Sequence, residues 1–183
     1  MRLIVLDLEL NQPSRTVIQI GALQLDLASQ RVGGTFDQLC NPGELPNPYI
    51  SDLTGIQPDA IERAPPFALV VDSFWRWCRD AKVGLQMLAW GEDVELLAEQ
   101  SRAAGVVPPK LRTHDLRETA KLFRAVRPGC RVSGGLLDTL GIFGLDFEGV
   151  QHRALDDAHN TGRLACRFFR MLRQTYEIEK ILK

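Results

Sequence analysis

The sequence predicts an α/β fold in which a mixed sheet of five strands is flanked by helices, and two patterns lead to this prediction. Three apolar segments follow one another with short connections at the start of the chain. Helical periodicity and short apolar runs then alternate, which is typical of a sheet covered by helices. Because 45% of the 183 residues are hydrophobic, we expect residues 1–183 to form a single domain with its own core.

The first three strands are predicted over Leu3–Leu10, Thr16–Leu27 and Thr35–Cys40. Turn-forming residues separate the first two strands. Ala28–Gly34, which ends in two glycines, is interpreted as a hairpin loop before the third. Adjacent strands with such short connections predict an antiparallel meander.

Helices and short strands are predicted to alternate over the remaining residues. Asn41–Pro48 holds three prolines and a glycine and is interpreted as an irregular loop. Apolar residues recur at helical spacing from Phe67 to Cys78, and Val83–Trp90 is a short apolar run typical of a buried strand. A last short strand is predicted at Leu111–His114. The other predicted helices are Asp93–Ala104, Leu116–Val126, Leu136–Phe143 and Asp156–Leu172.

Composition excludes several classes of protein. The net charge of -1 excludes a protein that holds nucleic acid by bulk positive charge. No uncharged apolar run approaches the ~18 residues of a membrane helix, so no contact with a membrane is expected. Acids interrupt the apolar start, which argues against a signal peptide. No two of the four cysteines have the spacing of a metal or redox motif, so we expect reduced thiols and a cytoplasmic location.

Two carboxylates lie on the first predicted strand, at Asp7 and Glu9. Because a strand alternates faces at every residue, both side chains project from the same side. Placing two anions among aliphatic residues costs free energy through repulsion and desolvation. Hard divalent cations bound by carboxylate oxygens offset that cost. The alternative is an edge strand that carries two solvated acids.

A second acidic segment follows His152 near the end of the sequence. Asp156 is interpreted as the N-cap of the last helix, and Asp157 is expected in its first turn. An acid there can point from the helix start toward a metal ion, and compensation of the helix dipole is the alternative. His114 and His159 are interpreted as structural residues.

Together these residues resemble the DEDDh 3′–5′ exonuclease superfamily. Asp7-x-Glu9 is followed by His152-Arg-Ala-Leu-Asp-Asp157, and Thr16–Ala22 is similar to that family's second strand. Leu53-Thr54-Gly55-Ile56 and Ala89-Trp90-Gly91 are most similar to the Eri-type exoribonuclease branch. The resemblance extends from Leu3 to about Leu172 and implies a ribonuclease H-like mixed sheet.

The resemblance also implies a further metal-binding aspartate at the start of the helix after the fourth strand. Asp93 matches that position, with Glu92 as its rival. Gln19 stands where many relatives have a glutamate.

The function implied by the resemblance is metal-dependent 3′–5′ hydrolysis of single-stranded RNA or 3′ overhangs. Four acids would hold two divalent cations, Mg²⁺ or Mn²⁺, and the first of these acids would bridge the two ions. His152 would serve as general base. The implied metal ligands are Asp7, Glu9, Asp93 and Asp157, and the implied substrate contacts are Leu53, Thr54, Trp90 and His152.

Two basic segments are candidate phosphate contacts, although solvated helix faces are the alternative. Lys110–Arg131 holds seven Lys or Arg against two acids. A stripe of arginines without acids nearby in the sequence follows at Arg163, Arg167 and Arg170.

Other functions remain open from the sequence. A proofreading-type DNA exonuclease or an oligoribonuclease would use the same five residues. A catalytically silent nucleic-acid-binding module would have no need of them. Nothing resembles an appended RNA-binding domain, so substrate delivery by a protein partner stays open.

Overall fold

The computed structural model describes residues 1–81, 86–126, 129, 131 and 134–181. This part of the chain forms a five-stranded sheet flanked by helices. The strands are β1 Arg2–Leu10, β2 Val17–Asp26, β3 Arg31–Leu39, β4 Gln86–Ala89 and β5 Arg112–Asp115. The helices are α1 Pro48–Thr54, α2 Pro58–Arg63, α3 Phe67–Asp80, α4 Asp93–Ala103, α5 Leu116–Ala125, α6 Leu136–Ile142 and α7 Ala154–Ile181.

The sheet is mixed, with the strand order β3-β2-β1-β4-β5. β1 pairs antiparallel with β2, and β2 pairs antiparallel with β3. β4 runs parallel to β1, and β5 runs parallel to β4. The predicted fold class and the antiparallel meander are therefore confirmed. The first three residues of the predicted fourth strand, residues 83–85, lie outside the described residues.

The hairpin loop predicted over Ala28–Gly34 is wrong at its end, because β3 already begins at Arg31. Gly33 and Gly34 lie within the strand. A Cβ atom on either glycine would lie 3.3 Å from an amide atom of the Gln24 side chain. The two glycines thus leave room for a side chain from the neighbouring strand. Because glycine pairs are usually associated with turns, the sequence alone did not indicate this role.

Two short helices, α1 and α2, were not predicted. The side chain of Asn47 caps α1 by accepting a hydrogen bond from the backbone N–H of Ile50 at 3.2 Å. Gly55 ends this helix in the left-handed conformation, with φ 74°. Each helix has six or seven residues, too few to show a helical period in the sequence.

The core has one layer on each side of the sheet. Alternate residues of β1 divide between them: Ile4 and Leu6 pack with α3, whereas Leu3 and Val5 pack with α7. Residues on the α7 side also contact α5 and α6. No helix within the described residues combines the length and apolarity needed to cross a membrane. Cys40, Cys78 and Cys166 are free and buried, whereas Cys130 lies outside the described residues.

Candidate metal and active site

The α7 side of β1 carries the two acids that the sequence singled out. Strand alternation continues from Leu3 and Val5, which pack with α7, to Asp7 and Glu9. Glu9 is only 8% exposed. Burying a carboxylate costs free energy unless a cation or a proton offsets its charge.

The start of α7 is brought onto these acids by a contact with β2. Gly21 pairs with Asp7 across the sheet, and a Cβ atom at Gly21 would lie 2.1 Å from the carbonyl carbon of Ala154. Gln19, paired with Glu9, accepts a hydrogen bond from the backbone N–H of Ala154 at 3.3 Å through its side-chain oxygen. Only glycine allows this close approach, which sequence reasoning did not identify at position 21.

The result is a cluster of three carboxylates. One oxygen each from Asp7, Glu9 and Asp157 lies within 4.8 Å of the others. Burial raises the pKa of Asp7 well above its ordinary value, and the charges of Asp93, Asp157 and Glu9 raise it further. Burial, followed by the charges of Asp157 and Asp93, raises the pKa of Glu9 to about 8. The cluster therefore favours protons or cations.

Asp93 joins the site from the first residue of α4. Its charge acts on both Asp7 and Glu9. Burial raises the pKa of Asp93 to about 7, opposed by the backbone N–H of Leu8 and by the charges of two arginines. Glu92 is exposed. The structure thus brings Asp93, rather than its rival, next to the other carboxylates.

Asp157 offers the clearest sign that the cluster fits a cation. Its Oδ2 atom is buried and has no hydrogen-bond partner among the residues that the structure describes. Burial raises the pKa of this residue, while interactions with the backbone N–H and the charge of His152 oppose the rise. An unpartnered carboxylate oxygen beside two other carboxylates matches the all-oxygen ligand sets of hard divalent ions.

His152 lies on the loop that leads into α7. It is exposed and has a left-handed backbone conformation, with φ 61°. Because its charge acts on Asp157, the imidazole lies close to the carboxylates without being buried among them. This arrangement leaves the ring accessible to solvent and to a ligand at the site.

The predicted N-cap role of Asp156 is wrong. α7 begins at Ala154, so Asp156 already lies in its first turn. The side chain of Asp156 accepts a hydrogen bond from the backbone N–H of Val150 at 3.0 Å. Gly149 makes room for it, since a Cβ atom there would lie 2.6 Å from the Asp156 carboxyl carbon. Asp156 therefore holds the loop that carries His152.

The predicted substrate contacts are distributed around α1 and the end of β4. Leu53 is 38% exposed. Thr54 is buried, and its hydroxyl donates a hydrogen bond to the backbone oxygen of Ile50 at 2.8 Å. Trp90 is partly buried against the core on the α7 side. Tyr49, one turn before Leu53 on α1, is 66% exposed; its spacing from Leu53 could have identified it in the sequence.

α1 lies next to the end of β1. The Asn47 backbone N–H donates to Asn11 Oδ1 at 2.9 Å, and the Asn47 side chain donates to the backbone oxygen of Gln12. Asn11 is two residues beyond Glu9. The start of α1 is therefore held beside the end of β1 that carries the two acids.

Two residues of the predicted basic segments form internal ion pairs. Arg124 is 1% exposed and pairs with Asp138 at 2.8 Å. Arg163 pairs with Glu148 at 2.7 Å. The stripe of arginines on α7 therefore has an acid nearby in the folded protein, although none is near it in the sequence. Neither arginine presents a free charge to a ligand.

The known proteins that this chain resembles are nucleases, which agrees with the acidic cluster at the end of β1. A family model described as exonuclease, RNase_T, matches residues 4–165. ERI1 exoribonuclease 2 from Danio rerio is 33% identical over 184 residues, which cover 87% of this chain and 32% of the relative. The 3′-5′ exonuclease Snipper from Drosophila melanogaster is 26% identical, over 84% of this chain and 61% of the relative. The chain thus spans less than two thirds of either relative.

Solved structures establish the fold. The nuclease domain of 3′hExo, a DEDDh family member bound to rAMP, superimposes with a TM-score of 0.78 and 21% identity over 92% of both chains. Cell-death related nuclease 4 superimposes with a TM-score of 0.78 and 18% identity, over 94% of this chain and 64% of the other. The ribonuclease H-like arrangement expected from the sequence is therefore confirmed.

Proposed function

The chain belongs to the exonuclease family whose model matches residues 4–165, and on this premise we propose that it removes nucleotides from the 3′ end of single-stranded RNA or of 3′ overhangs. The expected resemblance to DEDDh exonucleases and to their Eri-type branch is confirmed by this match and by the relatives. The observation that carries the proposal is the convergence of carboxylate oxygens from Asp7, Glu9 and Asp157 within 4.8 Å.

The family uses divalent metal ions, and the residues present fit them. We assign Asp7, Glu9, Asp93 and Asp157 as the residues that would hold two divalent ions, Mg²⁺ or Mn²⁺. Two such ions, when bound, lower the pKa of a water molecule and stabilise the attacking and leaving oxygens at a phosphodiester. Burial, followed by the crowding of acids that creates a cation site, raises the pKa values of Asp7 and Glu9.

His152 is assigned as the group that takes the proton from the attacking water. Its exposure lets the ring reach a water at the site, and an imidazole nitrogen can accept the proton of an attacking water. The Asp156 contact that holds the 149–150 turn fixes the loop before α7. The protein thereby holds a base beside the cluster without using it as a metal ligand.

Recognition of the 3′-terminal nucleotide is assigned to α1 and to Trp90. The exposed side chains of Tyr49 and Leu53 offer an aromatic and an aliphatic surface for a base. Thr54, the next residue, is buried and donates a hydrogen bond from its hydroxyl to the backbone oxygen of Ile50. Because two of the predicted basic residues are paired internally, we expect few phosphate contacts and include a substrate-delivering protein partner in the proposal.

The substrate can be tested with matched RNA and DNA strands that carry a 5′ label. Purified protein and Mg²⁺ or Mn²⁺ should shorten the RNA stepwise from its 3′ end, with a higher kcat/KM than for the DNA. Discrimination would come from contacts to the 2′-hydroxyl. A clear preference for DNA would favour a proofreading-type enzyme, and binding without cleavage would favour a silent nucleic-acid-binding module.

A further inference from the structure

Two arginines lie beside the segments that carry the acidic cluster. Arg15 donates its backbone N–H to the backbone oxygen of Asn11, two residues beyond Glu9, at 2.9 Å, and the guanidinium group of Arg117 lies against Gly91, two residues before Asp93. Arg15 comes from the connection between β1 and β2, and Arg117 from the first turn of α5. The chain thus places two arginines from distant segments next to the ends of β1 and β4, where the acids of the site lie.

The loop that carries Arg15 is held on both sides. Glu44 accepts hydrogen bonds from the side chains of Asn11, Ser14 and Thr16. On the other side, Gln100 of α4 donates its side-chain N–H to the backbone oxygen of Arg15 at 2.8 Å and accepts the backbone N–H of Val17 at 3.1 Å. The position of Arg15 relative to α4, which begins at Asp93, is therefore fixed by hydrogen bonds.

Arg15 itself has a strained backbone and an uncommitted side chain. Its φ of 60° is in the left-handed region, which a residue with a long side chain seldom adopts. The side chain is exposed, and within the described part of the chain it makes no ion pair. Strain that the surrounding hydrogen bonds maintain is typical of residues placed for a ligand.

Arg117 is held differently. Its guanidinium group lies against the turn before Asp93, because a Cβ atom at Gly91 would lie 3.3–3.4 Å from three of its atoms. Asp115 accepts the backbone N–H of Gly91 at 3.0 Å and lies 3.6 Å from Arg117 Nη2. Within the described ranges of the chain, the Arg117 Nε atom is buried without a hydrogen-bond partner, although the side chain is 40% exposed. Part of its hydrogen-bonding capacity is therefore unused.

We propose that Arg15 and Arg117 form a phosphate clamp, in which the two guanidinium groups contact the backbone phosphates of the substrate strand on the Asp93 side of the site. This inference rests on the proposed exonuclease function. A site built from four carboxylates repels a polyanion, and guanidinium groups bind phosphate oxygens through planar, charge-assisted hydrogen bonds. The clamp supplies local positive charge that the net charge of -1 does not.

The alternative role is purely structural, since both arginines also offset the repulsion among buried acids. The two roles differ in what they affect. A phosphate contact contributes to KM and to the salt dependence of the reaction, whereas an offset of repulsion contributes to the stability of the metal-free protein. Measurements of both quantities on the same variants separate them.

The test compares Arg15→Ala and Arg15→Lys with the parent on 5′-labelled single-stranded RNA in Mg²⁺, from low to moderate salt. In Arg15→Ala the KM should rise about tenfold, as expected for the loss of a charge-assisted hydrogen bond. The slope of log kcat/KM against log salt should become shallower by ~0.7, the contribution of one phosphate in a single strand. Arg15→Lys should recover most of the slope.

The matched control is Arg76→Ala on α3. This arginine is exposed, pairs with Asp72 at 3.0 Å and belongs to the helix on the opposite side of the sheet. The control should leave the KM and the salt slope of the parent unchanged. Arg117→Ala should change both in the same direction as Arg15→Ala, with thermal denaturation confirming that α5 remains folded.

Each outcome has a defined meaning. An unchanged KM and salt slope in Arg15→Ala, together with a lower melting temperature in chelator, would assign a structural role and overturn the clamp. If Asp7→Asn and the parent are equally inactive on RNA and on DNA, the proposed function itself fails. An active parent with unaffected arginine variants would leave that function intact and refute the clamp alone.

Discussion

Replacing Glu9 by glutamine should remove a pH-dependent destabilisation of the metal-free protein. Glu9 is 8% exposed, and its pKa rises from 4.5 to about 8 through burial and the charges of Asp157 and Asp93. The folded state therefore binds more protons than the unfolded state between about pH 4.5 and pH 8. By linkage, the free energy of unfolding of the parent falls as the pH rises through this window.

The size of the effect follows from the shift in pKa. One pH unit within the window corresponds to about 1.4 kcal/mol, so Glu9 costs the folded state about 3 kcal/mol more at pH 7 than at pH 5. Glutamine has nearly the same shape but does not titrate. The difference in the free energy of unfolding between Glu9→Gln and the parent should therefore increase by about 3 kcal/mol in favour of the variant from pH 5 to pH 7. This corresponds to about 6–12 °C in melting temperature.

The assay is urea and thermal denaturation in chelator from pH 5 to pH 8. The exposed Glu99 on α4 provides the control, because Glu99→Gln should follow the parent at every pH. Added Mg²⁺ should stabilise the parent at pH 8 far more than Glu9→Gln. Parallel stability curves for the parent and Glu9→Gln across this range would refute the reasoning, since Glu9 would then titrate as it does in the unfolded chain.

The remaining predictions concern single positions in the site. His152→Ala should reduce turnover by ~10²–10⁴-fold while Mn²⁺ affinity, measured by calorimetry, stays close to that of the parent; lost metal binding would make His152 a ligand. Asp93→Asn should damage activity far more than Glu92→Gln, and equal, mild effects would place the fourth acid elsewhere. Gly21→Ala should lower the free energy of unfolding by about 1–3 kcal/mol and abolish activity, because its Cβ would lie 2.1 Å from the Ala154 carbonyl carbon. Gly141→Ala is its control, because no described atom beyond the neighbouring backbone lies within 4 Å of the added carbon. An active, stable Gly21→Ala would contradict the role given to this contact.

Local periodicity was sufficient to predict most of the fold and the orientation of the first two acids. Strand alternation alone placed Asp7 and Glu9 on one face, since that period is independent of tertiary context. Gly33 and Gly34 were wrongly predicted to lie in a turn. Glycine is needed at these positions because the Gln24 side chain of the neighbouring strand occupies the space that a Cβ atom would approach. The helices α1 and α2 were missed because they are too short to show a period.

Long-range contacts explain what the sequence left open in the site. Asp93 and Glu92 are neighbours with equivalent chemistry, and only burial beside β1 separates them. The partners of Arg124 and Arg163, Asp138 and Glu148, lie in other segments of the chain. Counting charge along the sequence could not identify such pairs, so it overstated the basic surface.

The most direct test of the central claim is metal-dependent shortening of 5′-labelled single-stranded RNA by the parent and by Asp7→Asn. The account predicts stepwise loss from the 3′ end in Mg²⁺ or Mn²⁺, none in chelator, and none with Asp7→Asn, which should remain folded. Trimming from the 5′ end, cleavage that persists in chelator, or near-normal turnover by Asp7→Asn would contradict it.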